Sequence, residues 1–154
     1  MKTLIVGFGN VLLGDDGFGV EVVRRLACSG LPADVEAMEV GIGGMHFVLK
    51  LMEGFEEVIV VDAVRRGEAP GTLYVFTPSQ ADLDVDSGRR IDPHFAEPAR
   101  SMMLAKALGF LPEKVRVVGC EPQSCHLGIS LSSAVNAAAD RAVAKIRRMV
   151  VSEA

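Results

Sequence analysis

The run Val58-Ile59-Val60-Val61 constrains this chain more than any other segment. Consecutive β-branched residues favour a strand, and here no polar residue alternates with them. A strand that is apolar on both faces must be covered on both. That is the situation of an inner strand in a parallel sheet with helices above and below. The run ends directly in Asp62, which places a carboxylate at the edge where α/β sheets bind ligands.

The remaining segments fit that frame. Lys2 to Gly7 is a β-favouring run broken by glycine, and Val35 to Val40 alternates as a second strand. From Gly17, the spacing of Val20, Val23 and Leu26-Ala27 predicts an amphipathic helix that ends at Gly30-Leu31-Pro32. Met45, Leu49 and Met52 recur at helical spacing, so Met45 to Met52 reads as a short helix. Thr72 to Phe76 and Val115 to Gly119 are further strands. The stretch from Thr77 to Pro93 is polar and reads as a long irregular connection. Glu97-Pro98 opens a helix to about Leu108, and Ser130 or Ser132 caps a terminal helix with Val135, Ala139, Ala142, Val143 and Ile146 on its apolar side. The segment between Val61 and Thr72 is too short for a crossover helix, so those two strands are expected to pair antiparallel at an edge. The expected architecture is a single domain, 1–154, forming a three-layer α/β/α sandwich around a twisted, mostly parallel five-stranded sheet.

Composition removes several classes of function. Sixteen basic against twenty acidic residues give a net charge of −4, which disfavours a nucleic-acid surface. No segment reaches the ~18 uncharged apolar residues of a membrane span, and the first strand begins too early for a signal peptide. Three cysteines, an odd number, suit a reducing compartment, and the cytoplasm is the expected location.

The glycines after the first strand invite a nucleotide reading that fails on spacing. Gly7-Phe8-Gly9 is followed by Leu12 where a dinucleotide fingerprint needs its third glycine, and no Walker motif occurs. Gly7 and Gly9 then serve tight backbone geometry, and Asn10 braces the turn. Asp15-Asp16 stands before a helix, where one carboxylate can cap N–H groups while its neighbour points elsewhere. Asp16, Asp62 and His94 come from three loops and offer two oxygens and a nitrogen, a donor set suited to a borderline transition ion. Cys120 and Cys125-His126 offer a local Cys/His zinc site as an alternative, with one ligand short of a closed tetrahedron. Cys120 also reads simply as a buried strand end. Ser130, Ser132 and Ser133 lack a G-x-S-x-G elbow and read as caps and turns.

The stretch from Gly7 to Gly19 as a whole (GFGNVLLGDDGFG) resembles the N-terminal signature of the [NiFe]-hydrogenase maturation proteases. The resemblance continues through Gly44-Met45, Val60-Val61-Asp62-Ala63, Ala69-Pro70-Gly71-Thr72, Asp92-Pro93-His94 and Gly119-Cys120-Glu121-Pro122, in the same order. It implies a cytoplasmic, aspartyl-type endopeptidase that removes a C-terminal extension from a hydrogenase large-subunit precursor once nickel is inserted. The family's metal contacts fall on Asp16, Asp62 and His94, with Asp16 and Asp62 also the expected catalytic carboxylates. Nickel is expected to arrive on the precursor and not to be permanently bound. An acidic residue at Glu39 has a family counterpart, although Val40 follows where glycine is common. A chaperone that checks the nickel state of the same precursor without cutting it would need the same constellation.

Overall fold

The computed structural model describes residues 1–83, 92 and 95–151. Five strands form one sheet: β1 (Thr3–Phe8), β2 (Val35–Gly41), β3 (Glu57–Ala63), β4 (Leu73–Phe76) and β5 (Lys114–Cys120). Their order across the sheet is β2-β1-β3-β5-β4. β1 is parallel to both β2 and β3, and β3 is parallel to β5. The helices are α1 (Phe18–Cys28), α2 (Met45–Leu51), a single turn α3 (Gln80–Leu83), α4 (Ala96–Ala107) and α5 (Ser133–Val151). A 3₁₀ turn, Gly14–Gly17, leads into α1.

Strand alternation sends successive residues to opposite layers. Leu4, Val6, Val58, Val60 and Val117 pack with Phe47, Val48, Leu51, Ala99 and Met102 of α2 and α4. Ile5, Ile59, Val61, Val118 and Cys120 pack with Phe18, Val22, Leu26, Ala139 and Ile146 of α1 and α5. β3 is buried along its whole length, as its composition requires. The α/β/α sandwich is therefore a direct consequence of strands that are apolar on both faces.

Two expectations are corrected. The edge strand β4 is antiparallel as expected, but its partner is β5, not β3. The connection 64–72 steps across the end of β5 and is held there. Val64 N–H donates to the Cys120 carbonyl at 2.9 Å, and Gly71 N–H donates to the Glu121 carbonyl at 2.8 Å. Spanning two inter-strand spacings takes only roughly 10 Å, well within that segment's reach. The second is on α1, where Phe18 and Val22 join Val20, Val23 and Leu26 inside while Ala27 is exposed. The short helix α2 forms as expected, with Met45, Leu49 and Met52 pointing outward and Phe47, Val48 and Leu51 as its buried face. Of the connection between Thr77 and Pro93, residues 77–83 and Asp92 are described, with α3 at Gln80–Leu83, and the rest lies outside the described residues.

Candidate active site

The strand order reverses between β1 and β3: from β1 the chain passes to β2 on one side, then to β3 on the other. Loops leaving the carboxyl ends of strands on the two sides of such a point diverge and leave a crevice. Here the crevice is a cleft of about 230 Å³ lined by Phe8, Gly9, Asp16, Asp62, Glu97 and Cys125, among others.

Close backbone contact forms its floor. A Cβ on Gly19 would lie 2.1 Å from the Val61 carbonyl oxygen, and one on Gly7 would lie 2.3 Å from the Gly19 carbonyl oxygen. Helix α1 therefore starts directly against β1 and β3. Gly9 has φ of +117° and donates its N–H to the Gly41 carbonyl at 3.0 Å. A side chain at Gly9 would meet the Asp16 carbonyl oxygen at 1.9 Å and Asp62 Oδ1 at 3.4 Å. The glycine thus permits the two acid-bearing segments to approach.

Asp15 and Asp16 divide the labour that their adjacency suggests. Asp15 is buried and accepts hydrogen bonds from the N–H groups of Gln123, Ser124 and Ser132 and from the Ser132 hydroxyl, at 2.7–3.1 Å. It ties the loop after β5 to the 3₁₀ turn. Ser132, expected as a helix cap, commits its hydroxyl to this carboxylate. Asp16 is half-buried, lines the cleft, and accepts the Asn10 N–H on Oδ2 at 2.8 Å. Asn10 in turn accepts the Leu12 N–H, bracing the turn as expected.

Asp62 is 1% exposed, and its Oδ1 accepts the N–H of Ala63 at 2.8 Å. Burial pushes its carboxyl well above the usual carboxylate range, and the negative charges of Asp16 and Asp92 push it the same way. The Ala63 N–H works against that shift without cancelling it. Asp92 accepts the Arg65 N–H on Oδ2. A buried acid raised by desolvation and by a like charge, in a cleft at a switch point, is what a proton-handling or cation-binding site looks like.

The structure brings Asp16 and Asp62 together, whereas His94 lies outside the described residues. Among the described residues, no group of three His, Cys, Asp or Glu side chains is placed to hold a metal ion. The Cys/His alternative separates in space. Cys120 packs among the apolar residues beneath α1 and α5, and burial pushes its thiol up to about 12. Cys125 instead opens on the cleft, with its thiol raised by burial and by Asp16. Glu39 pairs with Arg24 through both carboxylate oxygens, at 2.8 and 3.1 Å. Glu97 is a cleft residue that the motifs did not single out; its Oε1 accepts the Gly44 N–H at 3.0 Å. Its signal was topological: the start of α4 reaches the same end of the sheet as the β2–α2 loop.

Known proteins are similar to this chain in sequence and fold. The family model described as hydrogenase maturation protease matches residues 20–149. The hydrogenase expression/formation protein HupD of Rhodobacter capsulatus is 35% identical over 150 residues, covering 96% of this chain and 70% of that one. The hydrogenase 2 maturation protease of Escherichia coli is 30% identical over 148 residues, covering 95% and 88%. Among solved structures, the hydrogenase maturating endopeptidase HybD from E. coli superposes with a TM-score of 0.84 at 27% identity, covering 99% of this chain and 94% of that one. The hydrogenase maturation protease HycI from Thermococcus kodakarensis gives 0.80 at 26% identity, covering 96% and 90%. A chain matched over most of its length by the family model, by relatives and by structures, with its acid pair at the switch-point cleft, belongs to the hydrogenase maturation protease family and is a peptide-bond hydrolase.

Proposed function

We propose that this chain removes the C-terminal extension of a [NiFe]-hydrogenase large-subunit precursor, and that nickel carried by the precursor switches the cleavage on. The observation that carries the reading is Asp62: a buried carboxyl pushed upward by desolvation and by the neighbouring charges of Asp16 and Asp92. Desolvation and the neighbouring negative charges favour its protonated form. A metal ion brought into the cleft supplies the missing positive charge, favours the ionised form, and releases the proton. Asp16 and Asp62 then offer carboxylate oxygens, His94 is the expected nitrogen donor, and precursor thiolates complete the shell. Nickel is thus part of the substrate. One of the two carboxylates takes a proton from the attacking water as it adds to the scissile carbonyl, and the proton passes to the departing amine. The three free cysteines fit action in a reducing compartment, with the cytoplasm as the place of work.

The test uses matched precursor preparations whose nickel content has been measured, with release of the C-terminal peptide followed by mass spectrometry. Loaded precursor is expected to be cleaved and nickel-free precursor to be left largely intact. Asp16→Ala and His94→Ala should slow cleavage of the loaded form while leaving circular dichroism unchanged. Equal rates on the two precursors would overturn nickel gating.

A further inference from the structure

The outward stripe on α2 has no role in the core. Ile42, Met45, Leu49 and Met52 are each 52–73% exposed, and they follow one another from the mouth of the cleft along the helix. Helix α4 runs beside α2, and Leu104 is 40% exposed on it. Between the two helices lies a groove of about 510 Å³ lined by Ile42, Met45, Val48, Glu97, Arg100 and Leu104. Ile42 and Glu97 also line the catalytic cleft, so groove and cleft are continuous. Arg100 is exposed and makes no ion pair among the described residues. Methionine and arginine are the residue types that recur at protein-recognition surfaces, the first because it repacks easily and the second because it binds carboxylates in two-pronged fashion.

We propose that this groove seats an apolar stretch of the precursor polypeptide next to the scissile bond, with an acidic group of that stretch on Arg100. The proposal rests on the reading that the cleft cleaves the precursor. A peptide whose scissile bond lies at Asp16 and Asp62 must continue out of the cleft, and the Ile42–Glu97 junction leads onto an apolar surface. Arg100, which makes no ion pair among the described residues, favours an acidic group in the occupant over a basic one.

The experiment measures steady-state cleavage of the nickel-loaded precursor by wild type, Met45→Glu, Arg100→Glu and the control Val75→Glu, whose site is exposed on the distant edge strand. Met45→Glu and Arg100→Glu are expected to raise KM about tenfold with kcat within twofold of wild type. Val75→Glu should change neither. Reversing the charge of the acidic group that the proposal places on Arg100, by lysine in the precursor stretch next to the scissile bond, should restore KM for Arg100→Glu. Circular dichroism and thermal melting establish that each variant is folded. Unchanged KM in both groove variants overturns the groove while leaving the protease reading intact. A wild type that cleaves no precursor overturns that reading and the groove with it. A wild-type dimer in sedimentation that Met45→Glu splits without changing KM assigns the groove to a second copy and also overturns the proposal.

Discussion

Two adjacent acids show how completely the surroundings decide what a carboxylate does. Asp15 faces inward and satisfies three N–H donors and one hydroxyl of the segment 123–132, so removing it orphans several polar groups at once. Each buried unsatisfied donor costs on the order of 1–3 kcal/mol. Asp15→Ala should therefore lower unfolding free energy by roughly 3 kcal/mol, read by urea denaturation. Asp16→Ala gives up the hydrogen bond from the Asn10 N–H, worth about 1 kcal/mol, and should cost less than Asp15→Ala, yet it should remove most precursor cleavage. Equal stability losses for the two variants would contradict this division. Adjacency in sequence could not separate them, because neighbouring residues point in different directions and only the fold says which way is in. Asp62 was legible for a different reason: a strand apolar on both faces has a fixed place, so the residue that ends it does too.

At the scale of elements, the parts fixed by local pattern were readable and the parts fixed by distant partners were not. Strand and helix positions followed from β-branched runs and helical spacing. The face of α2 did not, because Met45, Leu49 and Met52 share a period with a core stripe while Phe47, Val48 and Leu51 share another. Apolarity marks burial against something, and for this stripe the something is not the chain itself. The partner of β4 was equally hidden, since β5 follows it in the sequence and enters between β3 and β4. His94 remains known from the sequence alone. The glycine-rich opening was read as tight geometry, and the contacts give that reading its energy. A Cβ on Gly19 would press on the carbonyl oxygens of Val61 and Phe8 at 2.1 and 2.5 Å, and backbone cannot rotate aside. Gly19→Ala should therefore cost roughly 3 kcal/mol by forcing α1 off the sheet. The same shift moves Asp16, so cleavage should fall along with the urea midpoint. A Gly19→Ala protein with wild-type stability would contradict the packing described.

Across the whole molecule, the two ends of the parallel sheet treat a buried acid in opposite ways. At the amino end, Glu57 opens β3 fully buried, with Arg116 Nε at 2.5 Å, Lys114 Nζ at 3.8 Å and the Thr3 hydroxyl donating at 3.4 Å. At the carboxyl end of the same strand, Asp62 is as deeply buried but faces the charges of Asp16 and Asp92. The first arrangement holds the fold, and breaking such a pair costs roughly 3–5 kcal/mol. The second arrangement works against the fold whenever Asp62 ionises. Its sign follows from linkage: the native carboxyl titrates above the unfolded value of about 3.9, so the native state binds more protons in between. Stability from this group is complete below that value and is lost as pH rises toward the native pKa, by up to about 1.4 kcal/mol per pH unit. Asp62→Asn removes the titration while keeping the shape. Compared with wild type, it should melt at a similar temperature near pH 3 and at a progressively higher one as pH rises toward neutrality. It should also lose most precursor cleavage. Glu57→Gln breaks the buried ion pair and should melt lower than wild type while retaining kcat on the loaded precursor. Thermal melts across pH for the three proteins, with cleavage assayed below the lowest melting temperature, decide the matter. If Asp62→Asn were destabilised at neutral pH, the buried acid would be a structural partner like Glu57, and the charge it lacks would no longer point to a cation delivered by the substrate.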